Sequence, residues 1–414
     1  MGSGTAISQI LRIFFVPILT RIYPPDIYGT LAVFSSLLSI LIVCSSFKYE
    51  LAIPLAQMDE DAEYLVILCF LIMCSLTFIL FLILTFFGDF LAGKFHLEFI
   101  KPYYWLICIG FFGSSLYQIL TYWALRLKQY IQITQTRITQ SISGSVCKII
   151  LGILSFGSFG LICGEIIGRI VGIGTLGKTI FPKMWISIRD LDFHKLRSLA
   201  HTFKKFPIFS LPSGFINELS LQAPTLLLAS MFGFETAGLF TLSYAILVFP
   251  VSLVASSMSQ VYIAESSELL RHKSDKILAL YLNTTKKLFI LGAPIIFVGA
   301  VLSPILFPLI FGSAWKEAGV FSLPLSIVVI SNFVISSTDR LELYGFNHWT
   351  LYWNICRTFF VLLGFYLASQ FKLSPFATIL VFSLIMTMMY VICYILNIKA
   401  IKRVLQRNEG IIKN

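Results

Sequence analysis

Charge is what this chain of 414 residues has least of. Only 12% of its residues are Asp, Glu, Lys or Arg, against 57% hydrophobic, whereas an ordinary soluble domain has about 25% charged. That balance excludes a water-soluble globule. Histidine is also scarce, at five residues mostly near loops or helix ends. No HExxH or other zinc pattern occurs, so a metalloenzyme reading has no support. The eight cysteines (Cys44, Cys69, Cys74, Cys108, Cys147, Cys163, Cys356, Cys393) show no metal-ligand spacing and read as reduced, space-filling thiols. Long loops are missing as well. The longest outer connection runs from about Gly88 to Pro102, which is little from which to build an enzyme site on that face.

What the chain has instead is apolar runs. Crossing a bilayer takes roughly 20 apolar residues per helix, and twelve runs qualify: about 4 to 22, 27 to 47, 62 to 87, 103 to 123, 138 to 157, 159 to 178, 207 to 230, 236 to 258, 287 to 311, 316 to 337, 349 to 371 and 376 to 398. The first contains Arg12 and lacks the basic n-region and small-residue cleavage site of a signal peptide. The expected fold is an all-α polytopic membrane protein. The net charge of +11 raises nucleic acid as a partner, but twenty-two of the thirty-one Lys and Arg residues fall on one set of alternate loops and the tail, against five on the other set. That is a positive-inside pattern. It places both termini in the cytoplasm, makes the basic charge topogenic and leaves no nucleic-acid role.

An internal repeat organises the runs. YPPDIYG (Tyr23 to Gly29) closes the first run and FGFETAG (Phe232 to Gly238) the seventh, 209 positions later. The offset is close to half the chain, and similar apolar runs follow both turns. Two six-helix halves in the same orientation follow, as in transporters built of parallel repeats. The expected division is an N-terminal lobe over 1–180, a cytoplasmic amphipathic linker over 181–206, a C-terminal lobe over 207–398 and a basic tail over 399–414.

One motif misleads. GIGTLGKT (Gly172 to Thr179) satisfies GxxxxGK[ST], but the phosphate-binding loop requires a buried strand before it. Here the pattern closes an apolar helix, and Gly160, Gly164, Gly168 and Gly172 recur every four residues. That is a small-residue stripe for close helix packing, so no nucleotide is expected.

Six ionisable residues lie well inside the apolar runs: Arg12, Lys148, Glu165, Arg169, Glu218 and Arg357. Each would cost roughly 2.5 to 3.5 kcal/mol facing lipid, so most must face the interior. Glu165 and Arg169, spaced i,i+4, read as a structural pair. Arg12 and Arg357 have no opposite charge nearby on their own runs. They either pair with Glu218 or furnish a cationic interior, where guanidinium forks match phosphate oxygens. Glu218 lies on a stripe with Gly214, Gln222, Thr225 and Ala229, and Gln9 is its counterpart in the repeat. It is either an ion-coupling carboxylate or a structural partner for arginine. Pro17, Pro212 and Pro224 interrupt the two related runs and are the candidate hinges.

The stretches PILTRIYPPDIYGTLAVFSS, KYELAIPLA (Lys48 to Ala56) and the run from Phe206 through Glu265 resemble Wzx-type flippases of the polysaccharide-export branch of the MOP superfamily. The resemblance implies twelve helices in two six-helix lobes around a central cavity. It also implies transport of an undecaprenyl diphosphate-linked oligosaccharide, such as an O-antigen repeat unit of lipopolysaccharide, from the inner to the outer leaflet of a bacterial cytoplasmic membrane by alternating access. The implied partners are membrane lipids and the polysaccharide polymerase and chain-length machinery. The resemblance further implies no enzyme activity and no bound cofactor, with a proton or sodium ion as the coupling ion. On this reading Arg12, Arg357 and Lys148 hold the diphosphate, Gln9 and Gln222 line the glycan cavity, and Glu218 is the coupling candidate. Two alternatives differ in class: a multidrug or cation antiporter of the same superfamily, which four buried basic residues against two acids disfavour, and an O-antigen polymerase or ligase, which would need a large outer loop.

Overall fold

In a computed structural model, residues 2–94, 98–182, 184, 192–272 and 275–412 are described. They are helical almost throughout, with no strand among them. In chain order the helices are α1 (Gly2–Ile22), α2 (Pro25–Val43), α3 (Asp59–Lys94), α4 (Tyr104–Arg126), α5 (Tyr130–Ile153), α6 (Gly157–Ile170), α7 (Ile173–Gly177), α8 (Phe193–Thr202), α9 (Leu211–Phe232), α10 (Phe234–Arg271), α11 (Lys276–Phe311), α12 (Lys316–Thr338), α13 (Asn347–Gln370) and α14 (Pro375–Ile412). Each of the twelve apolar runs is helical over most of its length. Nine helices or helix pairs among the described residues are long and apolar enough to cross a membrane, which makes this a multi-pass membrane protein. The other three, α1, α5 and α9, carry more polar residues, and those residues build much of the site described below.

The chain divides into two compact units, Met1–Gly238 and Leu239–Asn414. The first takes in α9 because α9 lies along α2. The reason is local. Pro24 is extended and Pro25 opens α2, where a fixed φ suits the first turn and a missing N–H costs nothing. Gly29 then passes so close to the start of α10 that a Cβ on it would sit 1.7 Å from the Phe234 carbonyl oxygen, and a Cβ on Gly238 would sit 2.1 Å from the Pro25 carbonyl oxygen. Residues 25 and 29 correspond to 234 and 238 at the repeat offset, so the contact is reciprocal. The two copies of the repeated turn thus meet backbone to backbone.

Glycine also sets the packing of α5 on α6. A Cβ on Gly144 would meet the Gly168 Cα at 2.9 Å, and one on Gly164 would meet the Gly144 carbonyl at 3.1 Å. The stripe read from sequence is thus a helix-packing face. Gly172, at φ +100°, ends the segment, and the GxxxxGK[ST] pattern runs through the short helix α7 instead of a strand-to-helix loop. In the linker, Asp192 caps α8 by accepting from the backbone N–H groups of His194 and Lys195. The expected amphipathic stretch from 185 to 191 lies outside the described residues.

The second unit is centred on α12, whose span is two-thirds buried. Its buried hydroxyls, Ser322, Ser337 and Thr338 among them, donate to carbonyls one turn back in their own helix, so they enter the interior already satisfied. Asn397 of α14 is fully buried. It donates to Asp339 at 2.8 Å and accepts from the Arg340 backbone N–H at 3.2 Å, tying the end of α12 to α14.

Candidate functional site

In the first unit, α1, α5 and α6 bring three cations to one carboxylate. Lys148 of α5 donates to one Glu165 oxygen at 2.6 Å, and Arg169, one turn along α6, donates through Nε to the other at 2.8 Å. The three side chains are only 15 to 24% exposed. The expected Glu165–Arg169 pair is present, and Lys148, assigned from sequence to the substrate, completes it from the neighbouring helix. The glycine contact between α5 and α6 makes this reach possible, since Gly164 lies directly under the Lys148 stem. Tyr23 donates to the Lys148 carbonyl at 2.8 Å and Ser141 to the Ser8 carbonyl at 3.1 Å, fixing α1 on α5. Arg12 of α1 lies within electrostatic reach of Glu165 and is exposed, while Gln9 is half-buried one turn before it. Three cations against one carboxylate leave an excess of positive charge there.

Also in the first unit, Glu218 accepts from Gln222 at 2.7 Å, and Gln222 accepts in turn from Ser36 of α2 at 2.9 Å. The two sequence candidates on α9 thus form one relay that ends on α2. Pro17 and Pro224 lie inside α1 and α9, whereas Pro212 opens α9 just after a π-helical turn, Phe206–Ser210. That turn is a local irregularity of the kind that permits helix bending.

Arg357 belongs to the second unit. It is 3% exposed and lies over the Trp353 ring with its guanidinium carbon 4.5 Å from the ring centroid, a cation–π arrangement. Trp353 is held by donating to the Met389 carbonyl at 2.7 Å, and Tyr244 and Tyr390 stand within electrostatic range.

Residues 18–320 match the family described as polysaccharide biosynthesis protein. The chain belongs to that family. Among curated proteins it is 25% identical over 115 residues to the amylovoran biosynthesis protein AmsL of Erwinia amylovora, a match covering 28% of this chain and only 29% of that protein. Its fold is similar to those of two solved membrane proteins. An inward-facing multidrug-resistance MATE transporter superposes with a TM-score of 0.68 at 14% identity, covering 95% of this chain and 96% of the other. The lipid II flippase MurJ, in an inward closed conformation, gives 0.65 at 15% identity over 97% and 89%.

In this polysaccharide biosynthesis protein one buried acid escapes a reading confined to apolar runs. Glu50 follows α2 in the KYELAIPLA stretch, and its side chain is 1% exposed. It accepts from Gln118 of α4 at 2.9 Å and from Ser46, with the Lys48 ammonium 3.8 Å away. Phe47 and Lys48 both have positive φ, at 50° and 65°, which costs a non-glycine residue about 1–2 kcal/mol. Lys48 in turn packs under Gly214 of α9, whose Cβ would lie 3.3 Å from the lysine Cε. The signal in the sequence was Lys48-Tyr49-Glu50 just past the end of an apolar run. It reads as a solvated loop because nothing in the string shows that the chain folds back under α4.

Proposed function

We propose that this protein is a flippase that moves an undecaprenyl diphosphate-linked oligosaccharide, of the kind used for O-antigen and related lipopolysaccharide chains, across the cytoplasmic membrane from inner to outer leaflet. The observation that carries the reading is the cationic cluster of Arg12, Lys148 and Arg169 around Glu165, in a member of a polysaccharide biosynthesis family whose fold is shared with a lipid II flippase. Lys148 and Arg169 hold Glu165, and exposed Arg12 offers its planar fork to diphosphate oxygens. Arg357, with its aromatic neighbours, is a second cationic point in the other unit. Gln9 and Gln222 serve the glycan, and bending at Pro17, Pro212 and Pro224 lets the helices rock. Glu218, in relay with Gln222 and Ser36, is the residue to carry a coupling proton or sodium ion.

The test is deletion followed by locating the lipid-linked oligosaccharide. Accumulation on the inner leaflet is the expected result. Single repeat units appearing on the outer side would indicate a polymerase, and drug sensitivity with unchanged glycan would indicate an antiporter.

A further inference from the structure

The second unit holds a cleft of about 420 Å³ between α10 and α11, closed at its back by Phe333 of α12. Its volume is that of a small-molecule site, about 300–1,000 Å³, yet its lining is hydrocarbon: Pro250 and Val254 on one wall, Ile295 and Phe307 on the other. The single hydroxyl in the lining, Ser303, donates to the Gly299 carbonyl at 2.7 Å, so it offers no donor to an occupant. Ile295 at the rim is 72% exposed, among the exposed apolar side chains Leu291, Val298 and Leu302 of the same helix, a surface suited to lipid. An occupant therefore arrives from the bilayer as an apolar chain. Gly299 deepens the cleft, because a Cβ placed there meets nothing within 4 Å.

The other side of α10 is chemically opposite. A second cleft of about 250 Å³ is lined by Ser252, Ser256 and Ser259 of α10 and by Asn332 and Ser336 of α12, with Val251 shared between the two clefts. Ser259 accepts from the Arg340 guanidinium, which sets a cation beside the hydroxyls, and no carboxylate lines either cleft. One helix thus separates a hydrocarbon cleft from a hydroxyl-lined one with a cation at its edge. That division matches a molecule made of a long apolar chain, an anionic link and a polyhydroxylated head.

Resting on the transport reading above, we propose that the cleft between α10 and α11 binds the isoprenoid chain of the lipid carrier. The protein then recognises the carrier by its hydrocarbon as well as by its diphosphate, and Gly299 provides the room for a branched chain.

The experiment uses the full-length protein in nanodiscs with a diazirine-bearing polyisoprenyl diphosphate as the probe. Crosslinks are expected within residues 246–254 and 291–311, competed by unlabelled polyisoprenyl diphosphate and not by phosphatidylglycerol. Gly299→Phe fills the cleft without a backbone clash and should lower labelling about tenfold. Ile305→Phe, on the lipid-facing side of the same helix and outside the lining, should stay within about twofold of the wild type. Gly299→Leu, a smaller filling that also favours the helix, should fall between them. Labelling confined to other segments, equal competition by phosphatidylglycerol, or wild-type labelling in a properly inserted Gly299→Phe protein would each overturn the assignment. The two readings fail separately. Glycolipid retained on the inner leaflet after deletion, together with full export by Gly299→Phe, removes the cleft and leaves the flippase; no retention after deletion removes the flippase itself.

Discussion

Single side chains in the first unit divide into those that hold structure and those left open to a ligand. Lys148 and Arg169 each occupy one oxygen of Glu165, whereas Arg12 is exposed beside them. Arg12→Ala should therefore leave thermal stability within about 0.5 kcal/mol while lowering glycan export about tenfold, equivalent to about 1.4 kcal/mol of lost interaction; unfolding of the purified variant and surface-glycan quantitation check the two halves. Arg169→Ala removes a hydrogen bond to a charged group and should lower stability by about 1.5–3 kcal/mol. Glu50 belongs with the structural set by its burial. Glu50→Ala leaves the donors of Ser46 and Gln118 without their acceptor and should cost about 1–3 kcal/mol in detergent unfolding, with Glu50→Gln recovering much of that because its amide oxygen still accepts.

Between elements, close backbone approach does most of the positioning. Gly29→Ala or Gly238→Ala drives a methyl into a carbonyl oxygen of the facing helix, and neither partner is a side chain that can swing aside. Each should destabilise by about 1–3 kcal/mol or more and lower the yield of monodisperse protein on size exclusion. The contact of α8 with α3 adds charge to apolar packing, with Leu196 and Leu199 against the cluster that holds Leu65 and Cys69. Lys195 reaches Glu60 at 2.6 Å and Asp61 at 3.4 Å and lies over the Tyr64 ring. The hydrogen bond to Glu60 is the main reason its pKa is raised, with Asp61 adding to it and partial desolvation opposing. A raised lysine pKa means the stabilisation is fully present below the ordinary lysine value and is lost as pH rises through the higher folded value. Hydrogen exchange in α8 should therefore stay slow from neutral pH into the mildly alkaline range and quicken only above it, after correction for the intrinsic pH dependence. Quickening near neutrality would show that Lys195 does not hold the helix. Arg126 works similarly at the neighbouring turn, pairing with Asp59 at 2.8 Å and donating to the Ile53 and Ala56 carbonyls.

At the scale of the whole molecule the chain is a helical, multi-pass membrane protein, and the low charge is distributed to suit it. The second unit joins several of its interior polar groups between helices, as Asn397 with Asp339 at 2.8 Å and Tyr262 with Tyr344 at 2.7 Å show. The first unit gathers Lys148, Glu165 and Arg169, with Arg12 beside them, at one place. Glycan export should therefore be more sensitive to charge reversal at Arg12 than to reversal at a lysine of the basic tail such as Lys402, which serves topology collectively. Arg12→Glu and Lys402→Glu compared for surface glycan at equal membrane abundance provide the measurement, and equal effects would remove the special status of the cluster.

Composition and apolar spacing by themselves determined the helical membrane architecture, because a bilayer leaves few other ways to satisfy backbone groups. They also located the Glu165–Arg169 pair, which is local to one helix turn, and the repeated turns that end in Gly29 and Gly238. Tertiary structure alone decided the rest. Lys148 joins Glu165 only because Gly144, Gly164 and Gly168 let α5 and α6 touch, Gln222 meets Ser36 only because α9 lies along α2, and Glu50 is buried only because its turn folds back under α4. Spacing along one helix is written in the string, whereas the distance between two helices depends on every side chain that packs between them.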